Sequence, residues 1–130
     1  MDDARVSREL ELVRGFYPEV QYLEDGRWVR LPRYQIPEGV WAIDEVEVCF
    51  QVPDSYPGQS PYAFYVQPSL RLIDGSVPDN FEITCATAFA GSWGKFSWIM
   101  ELWQPTTDPE QGSNLIDFIR SCGYRLREGK

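Results

Sequence analysis

The chain has 130 residues, of which 43% are hydrophobic and 15% aromatic. These values predict one domain, residues 1–130, with a substantial core, and they argue against disorder over most of the chain. Twelve basic and 20 acidic side chains give a net charge of −8, which disfavours nucleic acid as a partner because phosphate is repelled. No apolar run approaches the roughly 20 residues of a membrane helix, and the acidic N-terminus lacks a signal-peptide core. We expect a cytoplasmic protein with no membrane association.

The sequence contains no histidine and only three cysteines, Cys49, Cys85 and Cys122. Lack of histidine excludes Ser-His-Asp and Cys-His catalysis and most transition-metal sites built from this chain. The cysteines are widely spaced and form no Cys-x-x-Cys pair, so neither a disulfide framework nor a zinc site is indicated. We therefore expect no metal and no cofactor.

The first predicted element is a helix over residues 2–14. Its apolar residues recur at helical spacing, Asp2 or Asp3 can cap it, and Gly15 supplies a C-terminal stop. The opposite face is expected to lie in solvent and carries four charged side chains, Arg5, Arg8, Glu9 and Arg14.

Four strands are predicted next. Residues 20–23 and 28–31 flank an Asp-Gly hairpin signal, after which Pro32 and Pro37 make the edge irregular. Residues 44–52 alternate, and 62–66 form a short aromatic strand. In the alternating strand Val46, Val48, Phe50 and Val52 are expected to face the core, and Glu45, Glu47, Cys49 and Gln51 a wetter side.

The segment 67–92 shows little sustained period and predicts a long irregular loop, which in a compact domain is usually functional. Residues 115–122 predict a short amphipathic helix with Ser113 or Asn114 near its start. The order helix, four strands, loop, a further short strand and helix predicts an α+β fold, with one antiparallel sheet of about four strands packed on the C-terminal helix.

The cysteines differ in their sequence surroundings. Cys122 falls on the apolar helix face, where core packing explains it, and Cys49 has strand acids beside it that disfavour a thiolate. Cys85 lies among small residues that leave room for another chain to approach. No Arg or Lys occurs between Asp79 and Phe89, so nothing local predicts a depressed pKa for the Cys85 thiol.

Several motifs stand in a distinctive order: Tyr56-Pro57-x-x-x-Pro61, Phe64-Tyr65-Val66, Asp74-Gly75, Cys85 and Trp103-x-Pro105. In this order they resemble the ubiquitin-conjugating (E2) superfamily, and in particular the small bacterial E2-like families. The resemblance covers most of the chain, from the N-terminal helix to the helix near Cys122. It implies a UBC-like fold with an N-terminal helix, a meander of about four strands, a long active-site loop and a C-terminal helix.

The resemblance also implies a function. Cys85 would accept a ubiquitin-like protein from an E1-like activating enzyme as a thioester and pass it to an amine. A JAB-type peptidase would belong to the same pathway. The helix face with Arg5, Arg8 and Arg14 would dock the E1, although a solvated helix face explains these arginines equally well.

One family motif is missing. The His-Pro-Asn sequence that precedes the cysteine in E2 proteins has no counterpart, and Pro78-Asp79-Asn80 occurs instead. Asn80 is the predicted replacement for the oxyanion-stabilising asparagine, with an ordinary turn residue as the alternative. Thr84 and Thr87 are the predicted substrate-binding residues, and they or backbone amides of the loop are the other candidates for oxyanion stabilisation.

Two other functions stay open from sequence. A non-catalytic E2 variant of the UEV or RWD type would bind a ubiquitin-like protein or an E1 without carrying it, and the missing motif favours this reading. An unrelated α+β structural protein is the third. The aromatic run Trp93, Phe96, Trp98 and Trp103 fits core packing better than a carbohydrate-stacking surface.

Overall fold

The computed structural model describes residues 3–130. In chain order the elements are α1 (Asp3–Phe16), β1 (Gln21–Leu23), β2 (Trp28–Gln35), β3 (Glu45–Gln51), β4 (Phe64–Val66), β5 (Phe81–Cys85), β6 (Trp93–Phe96) and α2 (Leu115–Arg127). In this part of the chain neither helix is long and apolar enough to cross a bilayer.

The strands form one antiparallel sheet in the order β1-β2-β3-β4-β6-β5. The first four strands make the predicted meander. The next two form a hairpin whose second strand, β6, pairs with β4, so β5 lies at the edge of the sheet. The α+β class with a helix at each end is therefore confirmed, and the arrangement is compatible with a UBC-like fold.

Both helices pack on one side of the sheet, which we call the helix face. Phe50 of β3 is fully buried, and its ring centroid lies 4.9 Å from that of Phe118 in α2. Val46, Val48 and Phe50, which were predicted to face the core, share it with Leu115 and Ile119 of α2. Asn114 caps α2 and forms a reciprocal capping box with Asp117, which confirms the predicted start of this helix.

Aromatic side chains with polar ends fix α2 against the sheet. The Tyr34 hydroxyl donates to the Ile119 carbonyl at 2.7 Å, and the Trp41 indole donates to the Leu126 carbonyl at 2.9 Å. Both rings are buried, so these bonds satisfy donors that would otherwise be costly inside the core.

A buried ion pair joins α1 to the rest of the core. The Glu9 carboxylate accepts from Arg5 at 2.7 Å, from the Tyr56 hydroxyl at 2.5 Å and from the Leu115 amide at 2.7 Å. Arg5 also donates to the Thr106 carbonyl. The prediction that Arg5 and Glu9 lie on a solvated face is therefore wrong, because their charges compensate each other in the interior.

Three boundaries also differ from prediction. Gly15 does not stop α1, which continues to Phe16, and Asp2, the other predicted cap, lies outside the described residues. β2 runs through Pro32 to Gln35, absorbing the irregularity as a register shift between Leu31 and Tyr34. The predicted loop 67–92 contains β5, because residues 81–85 pair with a strand that follows them in the chain.

Candidate active site

The side of the sheet opposite the helices, here called the outer face, carries a row of polar side chains. Cross-strand pairing places Arg30, Cys49, Tyr65, Lys95 and Glu82 side by side across five strands. In β2, β3 and β4 the flanking residues point to the core, since successive side chains alternate between faces, whereas Ile83 beside Glu82 in β5 is exposed. This row brings a thiol, a phenol, an ammonium and a carboxylate together.

Cys85 is the last residue of β5, at the edge of this face, and pairs with Trp93 of β6. Its thiol is half-buried and lies 3.6 Å from a carboxylate oxygen of Glu82, within reach of a weak S–H···O bond. Partial desolvation, and then the charge and hydrogen bond of Glu82, raise the pKa of the Cys85 thiol, whereas the Lys95 ammonium lowers it. The thiol is therefore mainly protonated near neutral pH.

Lys95 brings positive charge to the neighbourhood of Cys85. It faces Glu82 across the β5–β6 ladder and Tyr65 across the β4–β6 ladder, and its ammonium lies 5.7 Å from the centroid of the Tyr62 ring. Lys95 and Lys130 are the chain's two lysines. No pattern in the sequence associates Lys95 with Cys85, because the proximity of the two residues depends on the β5–β6 pairing.

The turn after Cys85 folds back over the outer face. The Phe89 ring packs against Trp28 and Trp93, and the Arg30 guanidinium lies 5.3 Å from its centroid. Thr87 holds this turn through its side-chain oxygen, which accepts from the Phe89 amide at 3.0 Å. Thr84 is exposed next to Cys85.

Cys49 lies beneath this turn and is fully buried. Burial, only partly offset by a hydrogen bond with Thr87, raises the pKa of the Cys49 thiol to about 12. The expectation of a wetter side is wrong for Cys49, since the turn covers that part of the outer face. Its flanking residues Glu47 and Gln51 remain half-exposed and exposed, respectively.

Asn80 is exposed at the opposite end of β5 from Cys85 and adopts a φ of 53°, which asparagine tolerates better than most residues. At about 3.3 Å per residue, the intervening strand separates the two positions by on the order of 15 Å. The structure thus brings Glu82 and Lys95, but not Asn80, near the Cys85 thiol.

Comparison with known families places this site in context. The family model described as Prokaryotic E2 family E matches residues 8–116. The chain belongs to this prokaryotic E2 family. No curated protein and no solved structure matched the chain.

In this E2 family member, the three predicted docking arginines of the N-terminal helix differ in their exposure. Arg8 and Arg14 are exposed, and Arg8 lies 4.0 Å from Asp108. Arg5 is not available to a partner because it is bonded to Glu9 inside the core. Two of the three predicted docking residues are therefore exposed.

The arrangement around Cys85 suits acyl transfer better than metal chemistry. Among residues 3–130 no group of three or more His, Cys, Asp and Glu side chains is arranged to hold a metal ion. The Cys85 sulfur can act as a nucleophile, Glu82 can accept its proton, and Lys95 can stabilise developing negative charge. Alternating Phe81-Glu82-Ile83-Thr84 was the sequence signal that could have revealed this strand.

Proposed function

We propose that this protein is an E2-like conjugating enzyme in which Cys85 carries a ubiquitin-like protein as a thioester. The accessibility of the three thiols is the main support. Cys49 and Cys122 are fully buried, whereas Cys85 is half-exposed at a sheet edge, next to a carboxylate. A protein-sized thioester donor can reach only the third.

Loading proceeds by thiol exchange. The Cys85 sulfur attacks the carbonyl carbon of the E1 thioester and forms a new C–S bond, while the bond to the E1 cysteine breaks. Because the Cys85 pKa is raised, its proton has to leave as the sulfur attacks. The Glu82 carboxylate, 3.6 Å away, accepts that proton, which returns to the departing E1 thiolate through solvent.

Discharge reverses the role of the sulfur. An acceptor amine attacks the carbonyl carbon of the Cys85 thioester, and a C–N bond forms. The C–S bond breaks, and the Cys85 thiolate that leaves takes up the proton lost by the amine, through solvent. The Lys95 ammonium stabilises the negative oxygen of the tetrahedral intermediate in place of the absent asparagine. Exposed Thr84 adjoins the site and contacts the modifier tail, while Thr87 acts by holding the turn.

Family membership supports two partners, an E1-like enzyme and the activated ubiquitin-like protein that it supplies. A JAB-type peptidase that processes this protein or its conjugates completes the proposed pathway. The exposed Arg8 and Arg14 of α1 form the E1-docking surface.

The test is reconstitution with the cognate E1-like enzyme, ATP and ubiquitin-like protein. We expect a covalent adduct on non-reducing gels that thiols remove. Cys85→Ala should abolish it, and Cys49→Ala and Cys122→Ala, as matched controls, should retain it. Cys85→Ser should give an adduct that resists thiols but yields to base, because an alkoxide is a poorer leaving group than a thiolate.

Asn80→Ala addresses the remaining sequence-based candidate. Normal loading with slow discharge would assign oxyanion stabilisation to Asn80 despite its distance from Cys85, whereas unchanged discharge alongside slow Lys95→Gln discharge would favour Lys95. An adduct that survives Cys85→Ala would overturn the assignment of Cys85.

A non-catalytic binding module is the second candidate, and the raised pKa of the Cys85 thiol favours it. In that case the protein forms no adduct even with all three cysteines present, but it still binds the ubiquitin-like protein or the E1. Isothermal titration calorimetry with each partner separates this outcome from an inactive preparation.

A further inference from the structure

A groove lies on the helix side of the molecule, away from Cys85, between the end of α1, the second half of β2 and the C-terminal half of α2. Its volume is about 830 Å³. Its walls are aromatic and cationic, with Tyr17, Tyr34 and Tyr124 among the rings and Arg33, Arg120 and Arg127 as the cations. Such dimensions match those of typical ligand sites.

The groove exposes an unpaired strand edge. β1 pairs with Trp28, Val29 and Arg30 of β2 and ends there, whereas β2 continues to Gln35. Residues 31–35 line the groove and, within the described chain, pair with a strand only on their β3 side. Backbone groups on the other side have no strand partner among the described residues, and Pro32 has no N–H to offer.

Two of the groove's arginines contact aromatic rings and form no salt bridge among the described residues. Arg120 lies over the Phe16 ring and Arg127 over the Tyr124 ring, each 4.8 Å from the ring centroid. Among residues 3–130 neither has a carboxylate within 4.0 Å, in contrast to Arg33, which lies 3.6 Å from Glu19. The groove is thus a cationic site on a chain whose net charge is −8.

The walls are preorganised. The Tyr34 hydroxyl is fixed by its bond to the Ile119 carbonyl, and Tyr17 stacks against Tyr34 with centroids 6.0 Å apart. Gly123 lets α2 approach Tyr34 closely, since a Cβ at this position would lie 3.2 Å from the Tyr34 hydroxyl and 3.4 Å from an Arg127 nitrogen. A ligand would meet rings and guanidinium groups already held in place, which lowers the entropic cost of binding.

We propose that this groove binds an acidic peptide segment of a partner protein, which adds to the open edge of β2 as a short strand. Backbone hydrogen bonds to residues 31–35 supply the register. Successive side chains of the bound peptide point alternately to the aromatic wall and toward Arg120 and Arg127. A sequence in which apolar residues alternate with Asp or Glu therefore fits the groove. A basic segment or nucleic acid does not meet these requirements, the first because of the arginines and the second because of the overall negative charge.

The experiment uses fluorescein-labelled octapeptides in which valine or phenylalanine alternates with glutamate, and fluorescence anisotropy with the full chain. We expect saturable binding that weakens with added salt, and none for the matched valine–lysine peptide. Arg120→Glu/Arg127→Glu should weaken binding at least tenfold. Arg27→Glu/Lys130→Glu, the same charge change on residues outside the groove, should leave it within about twofold.

Strand addition has its own readout. N-methylation at alternate residues removes the backbone donors on one edge of the bound peptide. Of two peptides, one methylated at the odd positions and one at the even positions, one should lose binding while the other retains it. Amide resonances of β2 residues beyond Arg30 should shift in NMR spectra.

The proposal is overturned if neither acidic peptide binds, if the lysine peptide binds as well, or if both methylated registers bind like the parent. Equal loss from the Arg27/Lys130 and Arg120/Arg127 variants would likewise mean nonspecific attraction. None of these outcomes depends on whether Cys85 forms a thioester.

Discussion

On the helix face of the sheet, Cys122 is fully enclosed by core side chains, and its thiol donates to the Phe118 carbonyl. On the outer face, Cys85 lies at an edge strand with solvent on one side and the Glu82 carboxylate on the other. Burial raises the pKa of the Cys122 thiol far more than partial burial raises that of Cys85. The fold thus buries the Cys122 thiol and leaves the Cys85 thiol accessible to solvent.

The contrast extends to polar groups. On the helix face the charges of Arg5 and Glu9 compensate each other and bind the fold together. On the outer face the charges of Glu82 and Lys95 lie near a half-exposed thiol and have water available. Charge therefore joins core elements on one side, and on the other it shifts the pKa of the Cys85 thiol.

The largest expected effect comes from deleting a ring on the helix face. Phe50→Ala should lower the free energy of unfolding by about 3–5 kcal/mol, since it leaves a cavity against Phe118. Phe89→Ala, the matched change on the outer-face turn, should cost about 1 kcal/mol or less because that ring is only half-buried. Urea unfolding followed by circular dichroism measures both.

Similar costs for the two phenylalanines would contradict the distinction between a stabilising face and a functional one. A near-neutral Phe50→Ala would remove Phe50 from the core altogether.

The helix face was largely predictable from sequence. Period-2 alternation in residues 44–52 and helical spacing after Asn114 each identify an apolar face, and burial of such faces determines how sheet and helix pack. The buried Arg5–Glu9 pair was not predictable, because its compensation comes from Tyr56 and the Leu115 amide, which are remote in sequence.

The outer face was less predictable for the same reason. Cys85 was identified by its motif position, but its neighbours Glu82 and Lys95 depend on a hairpin that interrupts the predicted loop. Likewise, Cys49 alternates like an outward residue and is buried only because the turn containing Thr87 folds over it. Periodicity identifies the face of a side chain but not what covers that face.

A second prediction concerns Gly94 of β6, which lies against the Phe81 ring of β5. A Cβ at this position would lie 2.1 Å from that ring, so Gly94→Ala must displace the ring or the strand that carries it. The expected cost is about 1–3 kcal/mol, typical of overpacking. Gly15→Ala is the control, since no atom lies within 4 Å of its Cβ position in α1, and it should stabilise the protein by about 0.5–1 kcal/mol.

Thermal unfolding gives both values. Phe81→Ala/Gly94→Ala should cost less than the sum of the single variants, because the clash is gone once the ring is removed. Additive costs would show that Gly94 is needed for a reason other than the Phe81 ring.

A third prediction ranks the thiols directly. In the native protein one thiol per chain should react rapidly with Ellman's reagent, and Cys85→Ala should eliminate that phase. Cys49 and Cys122 should react only on unfolding in urea, where three thiols become available. A rapid phase that survives Cys85→Ala would show that the turn over Cys49 opens readily.

The smallest effects are expected from changing the charges beside Cys85. Since Glu82 raises the pKa of the Cys85 thiol, Glu82→Gln should lower it, and since Lys95 lowers that pKa, Lys95→Gln should raise it. Below the pKa, the thiolate fraction rises about tenfold for each unit by which the pKa falls, whereas intrinsic nucleophilicity falls only about threefold. Glu82→Gln should therefore react faster with iodoacetamide near neutral pH and more slowly at high pH, so that its rate profile crosses the wild-type profile. Lys95→Gln should cross in the opposite sense, and Asp79→Asn, at the other end of β5, should leave the profile unchanged.

If Glu82 accepts the proton during loading, Glu82→Gln should slow thioester formation at the same neutral pH at which it accelerates alkylation. Acceleration of both reactions would limit Glu82 to setting the pKa.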